Sequence, residues 1–182
     1  TKKVLLFFGM IKKVKGLEIL LKALVSVKDK HPDILLVIAG KVWENNFTDY
    51  QKIIEENNLQ DYCLLHTNFI PQEDVAHYYC ASDLVVLPYK KIYQSGVLMM
   101  TLSFEKPVLT SNLPPLKEVI KDNENGFLFE SENSTSLAEK INCILSDEKQ
   151  WEIVRENGAK LIKTAYSWDE IGKQTKEAYQ TL

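Results

Sequence analysis

The chain has 182 residues, 45% of them hydrophobic and 26% charged, with a net charge of −3. That suffices for one large α/β domain with a full core and is too little for two generous ones. That balance gives no reason to expect a nucleic-acid partner, since no face-wide basic excess is visible, and no apolar run approaches the roughly 18 residues of a membrane span.

The first residue is Thr1, not Met, and it leads almost at once into a core strand, so the chain is expected to be an excised piece of a longer protein. No signal-peptide pattern opens it. "KVLLFF" (3–8) is continuously apolar, the pattern of a strand buried on both faces of a parallel sheet. The loop after it, "GMIKKVKG" (9–16), crowds Lys12, Lys13 and Lys15 between two glycines. In isolation such lysines read as a solvated loop. In "GLEILLKALVSVKDK" (16–30), Leu17, Leu20, Leu21, Leu24 and Val27 fall on one helix face. A second buried strand, "DILLVIA" (33–39), leads into "GKVWENN" (40–46), and "TDYQKIIEENN" (48–58) reads as a helix with acid near its start.

The pattern repeats with strand "YCLLH" (62–66), loop "TNFIP" (67–71) and helix "QEDVAHYYCA" (72–81), where Tyr78 and Tyr79 are expected to pack on the sheet. Strand "DLVVLP" (83–88) is followed by "YKKIYQSGV" (89–97), which runs into the helix "SGVLMMTLSF" (95–104) with Ser95 as its cap. Strand "PVLT" (107–110), the loop "SNLPPLKE" (111–118) and a last strand "GFLF" (126–129) complete the alternation. From there the chain is helical, over 134–147, 148–163 and 167–182.

Strand–helix alternation of this kind predicts a doubly wound, Rossmann-like parallel sheet of about six strands. Helices would cover both faces, a helical C-terminal tail would follow, and residues 1–182 would form one domain. In such sheets ligands bind outside the carboxyl ends of the strands. The lysine loop and the helix start at Ser95–Gly96 both fall on that edge. Backbone N–H groups at a helix start form an anion site, and Lys12 and Lys15 can add point charges to it. Alone, Ser95 and Gly96 also read as an ordinary cap with a close-packing glycine. Together with the lysines, they favour a diphosphate.

His66 and His77 read as packing or surface residues. Cys63, Cys80 and Cys143 are odd in number and lack paired or Cys/His spacing, so they read as reduced, mostly buried thiols in a cytosolic setting. No Ser/His/Asp spacing, metal-ligand cluster or Walker-type loop occurs. No catalytic acid–base pair is visible, which makes the chain look like a binding half.

From "FFGMIKKVKGLEILLKAL" through "LLVIAGK" and "NFIPQEDVAHYYCASDLVVLPY" to "SGVLMMTLSFEKPVLTSNLPPLKEVIKDNENGFLF", the order of motifs resembles the C-terminal, donor-binding domain of the group 1 glycosyltransferases. These are retaining enzymes of the two-domain GT-B fold, and the resemblance spans roughly residues 3–130. It implies a nucleotide-sugar substrate and divided roles. Lys12 and Lys15 would hold the donor diphosphate, with the N–H groups around Ser95, Gly96 and Val97. Much of the family carries Arg right after the first loop's glycine, where this chain has Met10; some members carry it at the Lys12 position, so that charge falls to Lys12. Backbone groups of Phe69 and Ile70 would edge the base, Tyr93 and Gln94 would face the sugar, and Glu118, expected at a helix start, could touch the donor or favour the helix dipole.

Two glutamates eight residues apart are common in the family, and here those places hold Ile92 and Met100. A subset of the family with "SGV" in this loop also lacks them. The ribose contact is thereby unassigned.

The resemblance further implies transfer through an oxocarbenium-like transition state, with no metal or other cofactor and the leaving diphosphate stabilised by lysine charge and helix dipole. An acceptor-binding N-terminal domain would be missing. The whole enzyme would make polysaccharide or glycolipid in the cytoplasm, with peripheral association at the inner face of the membrane through the missing half. A related sugar-nucleotide epimerase and a non-catalytic nucleotide-binding or interaction module are the alternatives.

Overall fold

In a computed structural model, which describes residues 2–43 and 47–181, six parallel strands form one sheet in the order β3-β2-β1-β4-β5-β6. These are β1 (Lys3–Phe8), β2 (Ile34–Ala39), β3 (Cys63–His66), β4 (Leu84–Leu87), β5 (Val108–Ser111) and β6 (Phe127–Phe129). The helices are α1 (Leu17–Lys30), α2 (Thr48–Glu56), α3 (Gln72–Ala81), α4 (Gly96–Ser103), α5 (Pro114–Lys117), α6 (Ser134–Ser146), α7 (Glu148–Thr164) and α8 (Trp168–Gln180). This is the doubly wound arrangement expected from the sequence. Its strand order reverses between β1 and β4, which opens a crevice at their carboxyl ends.

The central strands bury both faces, and successive side chains enter opposite cores. Leu5 and Phe7 of β1, Leu36 and Ile38 of β2, and Leu84 and Val86 of β4 join α1, α2 and α6 on one side. Leu6, Val37, Val85 and Leu87 join α3, α4 and α5 on the other. All five α1 positions expected on one face are buried, and Ile19 and Ala23 are buried as well, because α1 packs in the core between α2 and α6. Tyr79 packs as expected, 5.2 Å from Phe8 and stacked on Phe104 at 4.7 Å. The helix α7 spans both cores, with Val154 in the first and Leu161 and Ile162 against the second.

Three expectations need correction. First, β3 is not buried on both faces: it is an edge strand with β2 as its one neighbour, and Leu64 is 43% exposed. Second, the cysteines are free but not mostly buried, since Cys80 and Cys143 are exposed and only Cys63 is half-buried. Burial pushes the Cys63 thiol up to about 12. Third, Glu118 does not start a helix; it closes the short α5, because Pro114 and Pro115 start that helix one turn earlier. Its carboxylate therefore meets the unfavourable end of the dipole.

Candidate functional site

The crevice between β1 and β4 is built by the lysine loop on one side and residues 88–97 on the other. Lys13–Lys15 form a single 3-10 turn, closed by Gly16 in the left-handed region at φ 69°. A Cβ at Gly16 would lie 1.9 Å from the Pro88 carbonyl oxygen, so only glycine lets the loop meet the end of β4 this closely. The Lys90 N–H donates to the Val14 carbonyl at 2.9 Å, and the Lys90 ammonium pairs with Glu18. The loop is also tied to the segment after β2, with Trp43 N–H donating to the Ile11 carbonyl at 3.1 Å. Of that segment, Glu44, Asn45 and Asn46 lie outside the described residues.

The three lysines differ in environment. Lys13 is exposed, whereas Lys12 and Lys15 are half-buried. The Lys12 ammonium stands over the Trp43 ring, 4.9 Å from its centroid, and the Lys15 ammonium over the Tyr89 ring at 3.8 Å. Among the described residues neither forms a salt bridge. Burial, and then the charge of Lys12, hold Lys15 below the ordinary 10.5 of a lysine. Two uncompensated cations gathered at a crevice call for an anion.

Opposite them α4 begins. Ser95 caps it as expected, its Oγ accepting from the Leu98 N–H at 3.1 Å. The N–H groups of Gly96 and Val97 donate to no partner among the described residues. A Cβ at Gly96 would meet no atom within 4 Å, so packing does not require glycine there. Free donors facing open space at a helix start form an anion seat. Val97 borders the lysine side, its Cγ2 lying 3.3 Å from the Cβ position of Gly9.

On its other side, the start of α4 opens into a cavity of about 840 Å³ lined by Tyr93, Gln94, Ser95, Gly96 and Glu118. Five of the site residues expected from sequence are thus brought together. Ile162, Tyr166 and Trp168 from the α7–α8 end complete its wall. Lys12, Lys15, Val97, Phe69 and Ile70 do not line it. Phe69 projects from the loop after β3 and is 74% exposed, while Ile70 is half-buried against the second core. Ile92 and Met100, at the glutamate places of the family, are half-buried against the same core.

Tyr89 and Trp43, which underlie the lysines, had no role in the reading of the sequence; their signal was an aromatic at the carboxyl edge beside each lysine segment. Tyr89 is buried and its hydroxyl has no hydrogen-bond partner in good geometry. Burial pushes that hydroxyl up to about 12, and the neighbouring Ser95 hydroxyl tempers the rise. Among the described residues no three His, Cys, Asp or Glu side chains cluster to hold a metal ion, and no helix is long and apolar enough to cross a membrane.

Comparison with known proteins agrees with this architecture. Spore coat protein SA of Bacillus subtilis (strain 168) is 27% identical over 189 residues, a match covering 98% of this chain and 49% of that protein. The C-terminal domain of a glycosyl transferase group 1 family protein (LpcC) from Francisella tularensis superposes with a TM-score of 0.80 at 24% identity, covering 91% of this chain and 87% of that one. Anabaena Alr3699/HepE in complex with UDP superposes with a TM-score of 0.91 at 20% identity, covering all of this chain and 49% of that one. The chain thus spans about half the length of the curated relatives it matches. The sequence profile of the glycosyl transferases group 1 family matches residues 1–161, and the chain belongs to that family.

Proposed function

We propose that this chain is the donor-binding, C-terminal half of a retaining glycosyltransferase and that its crevice takes a nucleotide-sugar. The observation that carries the reading is the start of α4, where free N–H groups and a glycine with open space face a loop carrying two unpaired lysines. In this reading Lys12, Lys15 and the N–H groups around Ser95, Gly96 and Val97 hold the diphosphate. Phe69 and Ile70 edge the base from the loop after β3. Tyr93 and Gln94 face the sugar, and Glu118 belongs with them because it lines the same cavity.

As the bond to the sugar breaks, negative charge grows on the diphosphate. The lysines and the dipole of α4 stabilise it there, so no divalent metal is needed. An N-terminal domain would supply the acceptor side. The whole enzyme would work on polysaccharide or glycolipid in the cytoplasm, associated peripherally with the inner face of the membrane through that domain. A non-catalytic nucleotide-binding module is the second reading, favoured by the apolar packing of Ile92 and Met100 where the family commonly has glutamates.

A thermal-shift panel of nucleoside diphosphates and their sugars tests the proposal, with UDP as the first probe. A ligand at 100-fold its dissociation constant stabilises by about 2.7 kcal/mol, a clear rise in melting temperature. No shift with any nucleotide would refute the reading. Turnover by the full-length protein separates the enzyme from the binding module.

A further inference from the structure

Tyr89 follows β4 directly and is 1% exposed. Its backbone carbonyl accepts from Ser111 Oγ at 2.7 Å and from Ser131 Oγ at 3.4 Å, which fixes it from the β5 side. Its neighbour Lys90 is bonded through the backbone to Val14 of the lysine loop. The ring lies under the Lys15 ammonium, 3.8 Å from Nζ to centroid, and the hydroxyl ends beside Ser95 at the start of α4. One buried side chain therefore touches both elements of the anion seat.

We propose that Tyr89 is a positioning residue whose ring face holds the half-buried Lys15 ammonium aimed into the diphosphate site. The inference rests on the diphosphate reading given above. Burial and the nearby Lys12 both push Lys15 towards its neutral form, which would be useless to a phosphate. A carboxylate partner would keep the lysine charged but would cancel the charge that the phosphate must meet. The electron-rich face of an aromatic ring favours the cation without neutralising it. Buried behind the end of β4, that face also gives a flexible side chain one direction.

The test uses the 182-residue chain and UDP as the probe. Tyr89→Leu is expected to weaken UDP binding by about 3- to 30-fold. It also moves the alkaline fall in affinity to lower pH, which a purely structural role would not do. Tyr89→Phe keeps the ring and restores most of both. Should Tyr89→Leu not fold, fluorinated phenylalanines placed at position 89 decide the matter, because they withdraw charge from the ring face while keeping its shape. Stepwise loss of affinity from mono- to di- to trifluoro is the expected result. Unchanged affinity across the series, or a folded Tyr89→Leu that matches the wild type, would overturn the proposal. Lys15→Ala separates the two claims. Unchanged affinity there removes Lys15 from the site and the proposal with it. Weakened binding in Lys15→Ala beside a flat fluorinated series overturns the role of Tyr89 alone.

Discussion

At the scale of single residues the three lysines of the loop stand in unequal environments. Lys12 and Lys15 are half-buried on aromatic faces, and Lys13 points to solvent. Lys12→Ala and Lys15→Ala are each expected to weaken UDP binding and lessen its salt dependence, while Lys13→Ala does little. Equal effects from all three, in calorimetric titrations at two ionic strengths, would make the loop a diffuse patch. Lys15 also gives the site a pH signature. Its folded value lies below the ordinary 10.5 because of burial and then Lys12, so in the window between the two the unfolded chain binds the proton more readily. Stability of the free protein therefore gains from this group as pH rises through that window. Binding runs the other way, because the phosphate needs the charged form. UDP affinity is expected to fall at a lower pH than for an ordinary lysine, and Lys15→Met is expected to remove that fall. A wild-type profile kept by Lys15→Met would assign the titration to another group. Gly16 is a purely conformational counterpart: Gly16→Ala meets the Pro88 carbonyl at positive φ and is expected to cost on the order of 2–4 kcal/mol in a denaturant melt.

Among the elements, α8 is the least anchored. None of its residues is buried, and Trp168 is 87% exposed. Removing residues 168–182 is expected to change the stability of the rest by no more than about 1 kcal/mol. A large drop in melting temperature would show that the cavity wall at Trp168 supports the fold. Most elements were legible in the sequence for a local reason. Continuous apolar runs and one-faced leucine patterns report burial without reference to distant neighbours, and β1 and α1 carry them without interruption. Misreadings arose where long-range order decides. The strand β3 has the same apolar letters as its neighbours, but its edge position follows from the winding of the whole sheet. At Glu118, two prolines with the look of a loop in sequence instead start a helix, which puts the glutamate at its end. The capped helix start was legible through Ser95 and Gly96. The partners of Lys12 and Lys15 were not, since Trp43 and Tyr89 lie far from them in sequence and meet them through the order of the strands.

On the scale of the molecule, the crevice is a property of strand order, because the lysine loop follows β1 and the anion seat follows β4, its neighbour in the sheet. The chain alone is expected to bind UDP without transferring sugar to any added acceptor, and to bind it equally well in EDTA and in magnesium. Transfer by the isolated chain would contradict the two-domain reading, and a strict metal requirement would contradict the role given to the lysines. Gly96 tests the central claim most directly. A Cβ there has open space for 4 Å, so Gly96→Val is expected to keep most of its thermal stability. The same side chain fills the space an oxygen of the diphosphate needs. A calorimetric UDP titration of Gly96→Val, run beside a circular-dichroism melt of the same sample, is expected to show a folded protein and no binding. A folded variant with unchanged affinity would remove the diphosphate from the start of α4 and the donor site with it.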